Sequence, residues 1–115
     1  MKKYTYNAKV KSVYDGDTIK VDIDLGFDVW MKDQTIRLFG INAPELKGPT
    51  KTEGLVSRDR LKAMILGKDI LLETIKDSKE KYGRWLGKIF IQENDRLTNI
   101  NESMLNEKIA QPYLL

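Results

Sequence analysis

Tyr4-Thr5-Tyr6-Asn7-Ala8-Lys9-Val10-Lys11-Ser12-Val13-Tyr14-Asp15-Gly16-Asp17-Thr18-Ile19-Lys20-Val21-Asp22-Ile23-Asp24-Leu25 is two alternating runs joined by a polar tip. Tyr4, Tyr6, Ala8 and Val10 alternate with polar neighbours, the period of a strand with one buried face. Ile19, Val21, Ile23 and Leu25 repeat that period against Lys20, Asp22 and Asp24. Between the runs lies Asp15-Gly16, a pair that readily adopts the positive backbone angles of a tight hairpin turn. The reading is an antiparallel hairpin with Asp15-Gly16-Asp17-Thr18 at its tip.

Outward from the hairpin the elements follow in order. Residues 26–33 read as a longer connection, whose Phe27, Val29, Trp30 and Met31 are expected to cover one barrel end or pack on the first strand. Gln34 to Ile41 reads as a third strand that ends just before Asn42. Pro44 cannot donate to a sheet ladder and biases Ala43 toward an extended backbone, so the chain leaves the sheet there and Glu45 falls in a loop. After the basic loop 47–51, Thr50-x-x-Glu53 fits a capping box, with Leu61, Met64 and Ile65 as an apolar stripe and Gly67 as a stop. Ile70 to Ile75 and Trp85 to Ile91 read as the fourth and fifth strands. Asn94-Asp95 marks a turn, and Asn99-x-x-Glu102 opens a second helix carrying Ile100, Met104, Leu105 and Ile109 that Pro112 ends. The expected fold is mainly β (α+β): one domain over residues 1–115, a five-stranded OB-fold-like barrel with two helices. Such barrels often bind nucleic acid.

Composition narrows the chemistry. A chain of 115 residues, 41% hydrophobic and 32% charged, supports one packed core, and none of its apolar runs approaches the roughly 20 residues of a membrane span. With no cysteine there is no disulfide partner and no thiolate chemistry, and with no histidine the commonest general base is missing. Catalysis must then rest on carboxylates, Lys, Arg, Tyr, hydroxyls or a metal held by oxygen, which points to calcium, magnesium or manganese. The net charge of +3 permits an anionic partner without requiring one. The basic opening lacks the apolar stretch of a signal peptide. If Met1 is the native start, the protein is expected to stay in the cytoplasm; a secreted mature form with an added Met would open the same way.

Three polar clusters carry the candidate chemistry. In the first, an Asp at a turn ordinarily bonds its own backbone, yet Asp15 and Asp17 sit together beside the Thr18 hydroxyl, and adjacent carboxylates repel unless a cation or donor compensates. In the second, Arg37 lies between Ile36 and Leu38 on a strand that delivers it and Glu45 to one barrel end. It reads either as an outward-facing surface arginine or as a planar fork for phosphate oxygens. In the third, Lys81-Tyr82-Gly83-Arg84 reads either as a solvated turn or as a loop that turns Lys81, Tyr82 and Arg84 onto phosphate and base.

These three segments, Asp15 to Thr18, Arg37 to Glu45 and Tyr82 to Arg84, resemble the signature segments of the staphylococcal nuclease (thermonuclease) family, and residues 99–110 resemble its second helix. The resemblance implies a calcium-dependent endonuclease acting on DNA and RNA with little sequence preference, and single strands are the expected preferred form. Asp17, Asn42 and the backbone carbonyl of Ala43 would hold the calcium, with magnesium or manganese as substitutes, and Asp15 and Thr18 would support them. Glu45 would be the general base, and Arg37 and Arg84 would grip the phosphate. Lys81, Tyr82 and Tyr113 would meet the substrate, although Tyr113 reads equally well as packing for the chain end. Asn42 stands where well-known members have Asp, and Ala43 where they have Thr. An amide oxygen brings no charge to a calcium site, so weaker metal binding is expected. Longer members continue into a third helix for which this chain, stopping at Leu115, has no counterpart. Two other readings are a catalytically weak or inactive OB-fold module that binds nucleic acid, and a protein-binding adaptor.

Overall fold

The alternation read in residues 4–25 produces a hairpin of β1 (Thr5–Asp15) and β2 (Thr18–Asp24). A computed structural model describes residues 3–113. Met1, Lys2, Leu114 and Leu115, on which the expectations about the native start and the missing third helix bear, lie outside the described residues. The chain continues through β3 (Trp30–Leu38), β4 (Ile41–Asn42), a 3₁₀ turn (Gly48–Thr50), α1 (Lys51–Ile65), β5 (Asp69–Lys79), β6 (Trp85–Glu93), β7 (Arg96–Asn99), α2 (Ile100–Asn106) and β8 (Gln111–Pro112).

Strand order β3-β2-β1-β5-β6-β7, with β3 also pairing parallel to β6, closes β1, β2, β3, β5 and β6 into a five-stranded barrel. Inward positions are branched aliphatics, among them Val10, Ile19, Val21, Ile36, Leu72 and Ile89, all fully buried. Such side chains suit a pleated surface buried on one face. Helix α1 adds Leu61 and Ile65 to the same core, and α2 adds Ile100 and Met104. No helix among the described residues is long and apolar enough to cross a membrane.

Four local expectations need correction. Gly16 does not adopt a positive φ; its missing side chain instead makes room, since a Cβ there would lie 2.7 Å from the Ala43 Cβ and 2.9 Å from the Ser57 Cβ. The third strand begins at Trp30 and breaks at Phe39-Gly40, which leaves Asn42 in the separate short strand β4. Phe27, Val29 and Trp30 face outward, Phe27 with 101% relative exposure, and of that apolar group only Met31 packs on the core. Helix α2 stops at Asn106, and Pro112 belongs to β8. There the chain turns through Lys108 at φ 59°, so Ile109 reaches the core from a turn.

Candidate active site

Sheet register gathers the three polar clusters at one end of the barrel. Thr18 pairs with Arg37 across β2 and β3, and the Leu38 amide donates to the Asp17 carbonyl at 2.8 Å. The parallel pairing of Arg37 with Leu86 draws in the 80–84 loop. Asn42 pairs with Gln111, and the Tyr113 amide donates to the Gly40 carbonyl at 2.9 Å, which brings the chain end to the same place. The result is an open cavity of about 560 Å³ that Asp15, Asp17, Arg37 and Asn42 line together with Lys81, Tyr82 and Arg84, and with Ala43, Glu45 and Tyr113.

Asp15 fills the ordinary turn role: its Oδ1 accepts the Asp17 amide at 3.0 Å. Asp17 does something else. Buried at 6% exposure, its carboxylate accepts the Thr18 hydroxyl on one oxygen at 3.0 Å and the Ala43 amide on the other at 2.9 Å. That second oxygen also lies 3.2 Å from Arg37 Nη1. Burial first, and then the hydrogen bond and charge shared with Asp17, push the Asp15 carboxyl up from its ordinary value to about 6. The pair holds more negative charge than its surroundings favour.

Arg37 is 8% exposed and held on several sides. Besides Asp17 it donates to the Leu38 carbonyl and to the Asn42 side-chain oxygen, each at 3.2 Å, with the Tyr113 ring 5.5 Å from its guanidinium carbon. It is therefore not a solvent-facing arginine. The Tyr113 amide ties its segment to Gly40, and the residue also lines the cavity.

In the third cluster, Gly83 at φ 81° allows the tight turn that carries Tyr82 and Arg84. Glu80, which the sequence reading missed, grips Arg84 as a two-pronged fork, with Nε to Oε1 and Nη2 to Oε2 both at 3.1 Å. The same carboxylate accepts the amides of Tyr82 and Arg84, at 3.0 and 2.9 Å. This pairing holds the Glu80 carboxyl below its usual range and raises Arg84. The remaining arm, Nη1, donates to the Thr18 hydroxyl at 3.1 Å. A continuous chain of polar contacts thus runs Glu80, Arg84, Thr18, Asp17, Arg37, Asn42. Glu80 left one signal in the sequence, an acid four residues before Arg84.

Glu45 is exposed in the loop after Pro44. Its backbone is fixed from the residue just before α1: the Thr50 hydroxyl donates to the Glu45 carbonyl at 3.0 Å instead of capping the helix. Gly54 allows the loop to lie against the helix, since an added Cβ there would sit 2.8 Å from the Glu45 carbonyl carbon and 3.0 Å from the Pro44 oxygen. A lone glycine inside a helical pattern, costing about 1 kcal/mol against alanine, was the legible sign of such a packing demand.

A family model of staphylococcal nuclease homologues matches residues 35–114. The chain belongs to this family. A thermonuclease of Staphylococcus hyicus is 32% identical over 109 residues, covering 92% of this chain and 56% of the relative. A thermonuclease of Staphylococcus intermedius is 30% identical over 108 residues, covering 91% and 55%. An uncharacterized protein of Methanocaldococcus jannaschii is 28% identical over 130 residues, covering 95% and 60%. The chain spans a little over half the length of the curated relatives it matches. For a staphylococcal nuclease homologue, the matched segment contains Arg37, Glu45 and Arg84 and begins after the Asp15-Gly16-Asp17 tip.

Proposed function

We propose that this staphylococcal nuclease homologue is a metal-dependent nuclease hydrolysing phosphodiester bonds of DNA and RNA. One observation carries the reading: two fixed guanidiniums, Arg37 in contact with Asp17 and Arg84 reaching it through Thr18, line one open cavity with the Asp15–Asp17 pair and Glu45. A binding surface alone has no use for acids among its phosphate-gripping arginines.

The residues suit a hard divalent cation. The groups beside Asp17 that could ligate a cation, the Asn42 amide oxygen and the Ala43 carbonyl, are oxygens, and Asp15 places a second carboxylate within hydrogen-bonding reach of the same turn. No three acidic side chains converge on one point among the described residues. A cation here would be held by Asp17, the Asn42 side-chain oxygen and the Ala43 carbonyl, with Asp15 beside them in support. Calcium is the proposed ion; when bound it supplies positive charge beside the phosphate and lowers the pKa of a nearby water.

The chain's own groups do the rest. Arg37 and Arg84 are held in place by their partners, so they offer N–H groups to the phosphate oxygens without rearranging as charge develops. Glu45 takes a proton from the attacking water as the new P–O bond forms. The P–O bond to the departing sugar oxygen breaks, and that oxygen collects its proton from solvent. Tyr82, Lys81 and Tyr113 offer stacking and charge to the flanking nucleotide.

The test is incubation of the protein with single-stranded DNA and RNA in calcium and then in chelator. Cleavage in calcium that stops in chelator is the expected outcome. Binding without cleavage under both conditions would replace the nuclease by a binding module.

A further inference from the structure

Tyr14 lies outside the set of residues assigned so far, and its position is unusual. The β1–β2 ladder pairs Val13 with Ile19 and Asp15 with Thr18, so Tyr14 is an extra residue on β1 with no partner opposite. Such bulges re-aim a side chain and often lie beside functional sites. Here the bulge leaves a tyrosine 70% exposed at the edge of the polar tip. A large aromatic held out in water by a break in the ladder is not contributing to the core.

Tyr14 lines a second cleft, of about 280 Å³, together with Asp15, Glu45, Leu46 and Lys47. Asp15 and Glu45 belong to the walls of both this cleft and the larger cavity, so the two adjoin at these residues. Tyr82, 72% exposed, lines the cavity but not this cleft, with Lys81 and Arg84 close to its ring. Cleft and cavity thus each have an exposed tyrosine and a lysine, and they share Asp15 and Glu45.

A phosphodiester inside a polynucleotide has a nucleotide on both sides, and both must lie somewhere while the bond is cut. We propose that the Tyr14–Lys47 cleft is a second nucleotide subsite, holding the base beyond the cleaved phosphate on the Tyr14 ring and the next phosphate on Lys47. The inference rests on the nuclease reading for the direction of the chain through the cavity. Aromatic stacking accepts any base, which gives the subsite affinity without sequence preference. Lys47 makes no ion pair with any of the described residues, which leaves its charge for a phosphate.

The experiment uses a fluorescein-labelled, phosphorothioate-linked octathymidylate, which resists cutting, and measures its binding by anisotropy in calcium. Loss of one base–aromatic stack in Tyr14→Ala should weaken octamer binding roughly 5- to 140-fold. Thymidine monophosphate, too short to reach from the cavity into the cleft, should bind Tyr14→Ala as it binds the parent chain. Tyr14→Trp, which keeps a stacking face, should hold the octamer as tightly as the parent, and its indole fluorescence should change when the octamer is added. Lys47→Ala should reduce the slope of log affinity against log salt by about 0.7. Octamer binding unchanged in Tyr14→Ala, or weakened equally for octamer and mononucleotide, would overturn the subsite. A parent chain that cuts the ordinary octamer while Tyr14→Ala binds as well as the parent would overturn the subsite alone. A parent chain that neither cuts nor binds would remove the nuclease reading with it.

Discussion

Replacing Gly54 with alanine separates the placement of Glu45 from the stability of the fold. Ordinary Cβ contacts begin near 3.4 Å, and the added methyl would meet the Glu45 carbonyl oxygen first and lie 2.8 Å from its carbon, so the loop must retreat by about 1 Å. The obstacle is backbone, which cannot swing aside as a side chain does. Overpacking of this kind costs about 1 to 3 kcal/mol. Alanine returns about 1 kcal/mol through helix propensity, so the net loss is about 0 to 2 kcal/mol. Thermal unfolding followed by circular dichroism should therefore shift downward by less than about 10 °C. Activity should suffer far more, because functional groups must be held within about 0.5 Å and a displacement near 1 Å costs on the order of a hundredfold. Cleavage of a fluorescent single-stranded oligonucleotide should fall about 10- to 100-fold at a temperature where the variant is fully folded. A folded Gly54→Ala protein cutting at the parent rate would refute the argument that α1 positions Glu45.

Other perturbations reach different parts of the site. Asn42→Asp adds a carboxylate to the proposed metal seat, and calcium affinity measured by calorimetry should rise roughly tenfold, part of the added charge being neutralised by Arg37. The folded pKa of Asp15, about 6, lies above its ordinary 3.8. In chelator its protonated form therefore favours folding at low pH, and that contribution is lost as pH rises through about 6. The melting temperature of Asp15→Asn should consequently rise relative to the parent as pH goes from 3.8 to about 6 and level off above it; a constant difference across that range would contradict the assignment. Leu61→Ala empties a position with no solvent exposure between α1 and the barrel. It should cost about 2 to 5 kcal/mol in denaturant unfolding.

Much of this fold was legible because its strands bury one face. Ile19, Val21 and Ile23 alternate cleanly, and the hairpin they predict is present in register with β1. Residues 26–33 misled because Phe27, Val29 and Trp30 read as a loop that covers the core, whereas β3 already begins at Trp30 and these three side chains are exposed. Strand β7 escaped notice for a different reason: Arg96 to Asn99 is short and exposed, and only the turn at Asn94 and Asp95, both at positive φ, announced it. At the site, residue types identified Asp17, Arg37 and Arg84 as a group, since unusual chemistry shows in composition. Glu80, Thr50 and Gly54 act through geometry instead, by a fork, a hydroxyl on a carbonyl and an absent methyl. Their roles depend on which segments the barrel brings together, and local sequence does not carry that.

The nuclease reading stands or falls on Glu45 as the base. Cleavage and binding of the same single-stranded DNA should be measured side by side in calcium for the parent chain and Glu45→Gln. The account predicts that the glutamine variant still binds the oligonucleotide while its cleavage rate falls about a hundredfold or more, as loss of a positioned acid–base group should cause. Cleavage by Glu45→Gln at the parent rate would contradict it.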